Sequence, residues 1–233
     1  MFPVKIQGHT IRRPYLTFTL VIINVLVFLW EVILMWQNRL GYTFGDLAFN
    51  PCHIGTQPVW ELAVDAVRSM FLHGSWTHLT GNMLFLWVFG GKVEEYYGRK
   101  WFLIFYFASG FAAHFAHAAV NPPCAPTIGA SGAISGVMAA FLLLYPGVRI
   151  KTVVVFFRFF FKSFNIPALY MLGYWFAIQL LYGILALGPN ASYGGGVAFW
   201  AHIGGFAAGL LFTFVFTIHK PAPPVDPFAY LDD

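Results

Sequence analysis

Six long apolar stretches run through this chain, at about residues 15–36, 72–91, 101–120, 127–145, 167–187 and 198–218. A helix needs about 20 residues, at 1.5 Å each, to cross roughly 30 Å of hydrocarbon. Composition points the same way. The 233 residues are 59% hydrophobic and only 9% charged, whereas a soluble domain is roughly a quarter charged. So little charge cannot coat a soluble globule, and lipid has to solvate much of the surface. The expected fold is an all-α membrane protein, a single bundle of six transmembrane helices. The first stretch is too long for a signal-peptide core and reads as a retained helix. The net charge of +4 comes from scattered basic residues with no run among them, so nucleic acid is not an implied partner.

Lysine and arginine set the orientation. Six spans place both termini on one side, which collects Lys5, Arg12, Arg13, Lys92, Arg99, Lys100, Arg149, Lys151, Arg158, Lys162 and Lys220. Only Arg39 and Arg68 fall on the other. Under the positive-inside rule both termini are expected to be cytoplasmic. Residues 1–14 then form a cytoplasmic N-terminal segment, 15–218 the membrane domain, and 219–233 a Pro-rich, then acidic, cytoplasmic tail that reads as disordered. Residues 37–71 make a long external loop whose glycines, prolines and Trp60, with Trp36 just before it, suit the membrane interface. The cytoplasmic connection 146–166, with its aromatic and basic run Phe156 to Lys162, reads as an interfacial segment near anionic lipid.

Polar side chains inside spans need partners that hydrocarbon does not supply. The second span holds His73, His78 and Asn82, the last two sharing a helix face at i and i+4. The fourth opens with Gly129-Ala-Ser131-Gly132-Ala-Ile-Ser135-Gly136, and the sixth contains Ala201-His202-Ile-Gly-Gly205-Phe-Ala-Ala-Gly209. At 1.5 Å per residue, Ser131, His202 and His78 lie within about 5–10 Å of the outer boundary, with Asn82 about one turn deeper. That grouping suits acyl transfer. A serine hydroxyl is a weak nucleophile until a neighbouring base takes its proton, and histidine is suited to that task. His78, Asn82 and the Ser131 backbone N–H are candidate donors to the oxyanion. Spans carry no carboxylate placed to orient His202, so a Ser–His dyad is expected rather than a triad. The pairs Gly132/Gly136 and Gly205/Gly209 are small-xxx-small motifs that let helices approach closely, and packing near the site is the role assigned to them and to Gly129.

These motifs, with the Gly90-Gly91-Lys-Val-Glu94…Gly98 exit from the second span, resemble the rhomboid family of intramembrane serine proteases over about residues 15–218. The resemblance implies Ser131 as nucleophile, His202 as general base, and His78 and Asn82 as oxyanion-binding residues. It also implies a six-helix rhomboid-like bundle that cleaves transmembrane segments of other proteins near their outer ends, with no metal or cofactor. The chain departs from the pattern at two points. Trp60-Glu61 stands where many members have Trp-Arg, and Ser135 stands where some carry an aromatic residue against which the histidine stacks.

Competing readings lack their signatures. There is no His-Glu-x-x-His for a metalloprotease and no aspartate in any span for an aspartyl protease. Non-proteolytic relatives typically lack the nucleophile or the base, and a transporter would place its polar site at the midplane. His73 is expected to anchor the external loop, His114 and His117 to be interfacial, and Glu31 to face the bundle or snorkel outward. Cys52 and Cys124 both fall outside, where a disulfide is permitted, but spacing leaves their pairing open. The simple six-span layout suggests a bacterial plasma membrane. Substrate identity and oligomeric state do not follow from sequence.

Overall fold

A computed structural model describes residues 1–8, 13–120, 124–156, 160–187 and 197–220. The expected disordered tail lies outside these beyond Lys220, as do Arg12 and Arg158. In chain order the helices are α1 (Tyr15–Trp36), α2 (Leu40–Leu47), α3 (Val59–Ser69), α4 (Trp76–Tyr97), α5 (Arg99–Val120), α6 (Ser131–Leu144), α7 (Ala168–Leu185) and α8 (Phe199–His219), with a 3-10 turn at Pro51–His53. The strands are β1 (Phe2–Ile6), β2 (Arg149–Phe156) and β3 (Phe160–Pro167).

Each apolar stretch contains one helix, and four of them (α1, α5, α7 and α8) are long and apolar enough to cross a membrane. Their faces are inverted relative to a soluble protein. The buried stripe of α1 is Thr17, Leu20, Asn24, Phe28, Glu31 and Leu34, while Ile22, Leu26, Leu29 and Ile33 are exposed. On α8, Leu211, Phe214 and Ile218 point outward. Polar groups turned in and aliphatic groups turned out make sense only with hydrocarbon as the outer solvent. The chain is an integral membrane protein.

Local signals set the helix ends. Pro14, Pro58 and Pro167 immediately precede α1, α3 and α7, where a missing N–H costs nothing. Ser75 caps α4 by accepting from the His78 backbone N–H at 3.2 Å. Gly98, at φ +75°, ends α4 and lets the chain turn at once into α5. Buried Glu94 accepts from the backbone N–H groups of Leu16 (3.0 Å) and Thr17 (2.8 Å) and from the Thr17 hydroxyl (2.8 Å). It thereby satisfies orphan donors at the positive end of α1.

At the centre stands α6, which packs along α5, α8 and α4 and is buried from Gly132 through Phe141. Its 14 residues span about 21 Å, shorter than a bilayer core, and the surrounding helices shield it. Glycines make the closest contact. A Cβ on Gly205 would collide with the Gly132 carbonyl, and one on Gly209 would sit 2.5 Å from the Gly136 Cα. The packing role assigned to Gly132, Gly136, Gly205 and Gly209 therefore has a direct geometric counterpart.

The non-helical part differs from the sequence expectation. The strands β2 and β3 pair antiparallel, and β1 adds a third strand in the order β1-β2-β3. The register pairs Ile6 with Ile150 and Ile150 with Ile166. The run from Ile150 to Val155 contains five β-branched residues, which suit a pleated sheet. One face of the sheet buries Ile150 and Thr152, and the Thr152 hydroxyl contacts the Met171 sulfur at 3.6 Å.

Candidate active site

Four of the sequence-selected residues meet in one place. Ser131 is the first residue of α6, and its Oγ lies 2.8 Å from Nε2 of His202 on α8. His78 and Asn82 project from α4 toward the preceding turn, where Gly129 has φ +110°. A Cβ on Gly129 would sit 2.7 Å from the His78 ring and 3.6 Å from the Asn82 Nδ2. Gly129 therefore does more than pack near the site: it allows the backbone leading into Ser131 to lie against both side chains. A cavity of about 660 Å³ is lined by His78, Asn82, Ser131 and His202, with Phe85, Ile134, Met138 and Trp175 as apolar wall.

The segment 124–130 that delivers Ser131 is held from several sides. Thr127 and Phe49 exchange backbone hydrogen bonds at 2.9 and 3.2 Å. The Gly129 N–H donates to the Ser69 carbonyl at 2.8 Å. Cys52 and Cys124 form a disulfide that ties the segment to the connection 37–71, a pairing that spacing left open. His114 and His117 belong to the same bracing. The His114 Nδ1 bonds the Thr127 hydroxyl at 2.9 Å and its Nε2 the Ser69 hydroxyl at 3.0 Å, and the His117 Nε2 lies 3.3 Å from the Ala125 carbonyl. Both histidines are buried, with ring nitrogens that join α5 to the loops. Among the described residues no three His, Cys, Asp or Glu side chains group as a ligand set.

His73 lies in the loop before α4 and not, as its apolar stretch suggests, within the helix. Glu31 faces the bundle and accepts the His73 backbone N–H with both oxygens, at 3.0 and 3.1 Å. The His73 Nδ1 is 3.2 Å from the Phe71 carbonyl, which can only accept, so Nδ1 carries the proton. Its Nε2 is then an acceptor for the Asn82 Nδ2 at 2.9 Å. This leaves the second Nδ2 hydrogen of Asn82 available to the cavity. His73 anchors the loop as expected and, beyond that, fixes the Asn82 amide.

The residues against His202 were not singled out in sequence. Its Nδ1 lies 2.8 Å from the Oε1 of Gln179 on α7, and the Trp175 ring centroid is 5.8 Å from its own. Ser135, at the position where some family members carry an aromatic residue, donates to the Ser131 carbonyl at 2.7 Å. Gln179 is the one side-chain amide in α7; that lone amide in an apolar helix was the available signal.

Residues 57–219 match the family model for the Rhomboid domain. Rhomboid protease AarA of Providencia stuartii is 28% identical over 229 residues, 88% of this chain and 74% of that protein. Rhomboid protein 1, mitochondrial, of Saccharomyces cerevisiae is 28% identical over 203 residues, 84% of this chain and 52% of that protein. Rhomboid-like protein 11, chloroplastic, of Arabidopsis thaliana is 37% identical over 87 residues, 37% of this chain and 30% of that protein. The chain thus spans from about a third to about half of the length of the plant and yeast relatives. With the matched domain covering most of the described bundle, the chain belongs to the rhomboid family.

Proposed function

We propose that this protein is an intramembrane serine endopeptidase that cleaves transmembrane segments of other membrane proteins near their outer ends, using a Ser131–His202 dyad. The 2.8 Å approach of the Ser131 Oγ to the His202 Nε2 carries the reading. In that geometry Oγ attacks the scissile carbonyl carbon as its proton passes to Nε2. The tetrahedral oxyanion is met by Asn82, His78 and the Ser131 backbone N–H. The C–N bond then breaks, the leaving amine takes the proton from Nε2, and water activated by His202 hydrolyses the ester to release Ser131. The protease names of bacterial relatives such as AarA support the reaction class.

Six spans with both termini cytoplasmic fit the basic residues, eleven of which fall on the proposed inner side and two on the other. That topology puts Ser131 near the outer face. We also infer a bacterial plasma membrane as its location, supported by the extent of the AarA match. Cysteine-accessibility labelling at either terminus from outside intact cells would overturn the topology.

The deciding experiment incubates purified protein in vesicles with a labelled single-span substrate. Ser131→Ala and His202→Ala each abolish cleavage, and a metal chelator leaves the native rate unchanged. Full activity in Ser131→Ala would sink the assignment.

A further inference from the structure

The geometry points to Gln179 as a positioning residue that sets the tautomer and orientation of His202, making a Ser131–His202–Gln179 relay with a neutral amide in the third place. This rests on the Ser131–His202 reading above.

A base that accepts the Ser131 proton on Nε2 has to carry its own ring proton on Nδ1. Nothing inside His202 enforces that choice, since a neutral imidazole can hold its proton on either nitrogen. Only an acceptor at Nδ1 decides it, and the Gln179 Oε1 lies there at 2.8 Å. A carbonyl oxygen accepts and never donates, so it selects the tautomer whose bare Nε2 faces Ser131. When Nε2 takes the serine proton, the Nδ1–H···O bond becomes charge-assisted and strengthens. The amide therefore also favours the imidazolium as it forms.

The placement of Gln179 is built rather than incidental. Its side chain is buried, at 7% exposure, in a helix with no other amide or charged residue. A polar group in such surroundings costs free energy unless it is bonded. Trp175, one turn before it on the same face of α7, lies beside the His202 ring. Gly183, one turn after it, accepts from the Trp200 indole N–H at 3.0 Å. The rings of Phe176 and Phe206 stack at 4.2 Å. These contacts on both sides of Gln179 lock the register of α7 on α8, so that Gln179 lands opposite His202. Trp175 meanwhile takes the flanking position that Ser135 leaves without a ring.

The test uses the full chain in detergent and a fluorophore-bearing fluorophosphonate. Its phosphorus forms a bond to the Ser131 Oγ, fluoride leaves, and the serine proton passes to His202. Gln179→Leu, similar in size and suited to an apolar helix, is expected to slow Ser131 modification about 10–100-fold, part of the 10²–10⁴ that general-base assistance contributes. Gln179→Glu, which keeps an acceptor oxygen at the same reach, restores most of the lost rate. With cleavage of the single-span substrate as readout, Gln179→Leu lowers kcat and leaves KM near its native value. Nitrogen-15 NMR of labelled His202 shows the ring proton on Nδ1 in the native chain and loses that preference in Gln179→Leu. Modification of Gln179→Leu at the native rate would overturn the inference. So would equal slowing in both variants with the Nδ1 proton retained, which is the mark of a purely structural residue. A native chain left unmodified at Ser131 would instead overturn the dyad, and this inference with it.

Discussion

At the scale of single residues, the site depends on hydrogen-bond directions that only certain side chains can supply. Asn82 illustrates this. With His73 accepting from one Nδ2 hydrogen, the other is left to the cavity that Asn82 lines, where the proposed oxyanion would form. A preorganised donor of this kind is worth about 3–4 kcal/mol to the transition state. Asn82→Ala is therefore expected to lower kcat by about 10²–10³ while the protein still folds, as checked by its thermal midpoint in detergent. An unchanged kcat would remove Asn82 from the oxyanion site. The same reasoning separates His73 from His78. The ring of His73 is occupied at both nitrogens by Phe71 and Asn82, whereas His78 lines the cavity and can meet a substrate directly.

Between elements, the decisive contact is that of α6 with α8. Ser131 and His202 can meet only if the two backbones come closer than ordinary side chains allow, and the glycines at 132, 136, 205 and 209 remove what would keep them apart. Association of helices in lipid draws on packing rather than on a hydrophobic gradient, so the fit of small residues carries more of the stabilisation. Gly205→Ala places a methyl group against the Gly132 carbonyl. Overpacking of this kind costs about 1–3 kcal/mol, and the helices have to separate to relieve it. The expected result is a lower thermal midpoint together with loss of proteolysis, because the Ser131–His202 distance grows with the helix separation. Retention of both native values would show that α6 and α8 do not pack through this face.

For the whole molecule, the connection 37–71 acts as the frame on which the segment leading into Ser131 is mounted. The Cys52–Cys124 bridge, the Phe49–Thr127 backbone pair and the His114 hydrogen bonds all tie residues 124–130 to it. The disulfide joins positions 72 residues apart, and a cross-link of that kind is worth about 2–4 kcal/mol. The double substitution Cys52→Ser and Cys124→Ser is expected to lower the thermal midpoint under oxidising conditions. A reducing agent should bring the native protein to the same value and leave the double variant unmoved. A midpoint that reduction does not shift would show that the bridge adds nothing to the frame. On the opposite side of the bundle, the ends of α4 and α8 are joined through the Tyr96 hydroxyl, which donates to the Lys220 carbonyl, and through the Lys220 ammonium, which donates to the Tyr96 carbonyl.

Sequence by itself determined the helical character of the six apolar stretches and the grouping of Ser131, His202, His78 and Asn82, which line one cavity. Each follows from local quantities: run length against bilayer thickness, a 3.6-residue period, and the cost of a polar group in hydrocarbon. The strands were readable in principle from the β-branched run between Ile150 and Val155, but their pairing with residues 2–6 was not, because one segment does not specify its partner. Only the tertiary structure decided that Gln179 faces His202, that His73 holds Asn82, that Glu31 receives the His73 N–H and that Cys52 meets Cys124. Each of these joins residues far apart in the chain, and the rotation and register of one helix on another are set by all their contacts at once. The Ser131–His202 pair could be foreseen from chemistry and depth. What orients it depends on how α7 lies on α8.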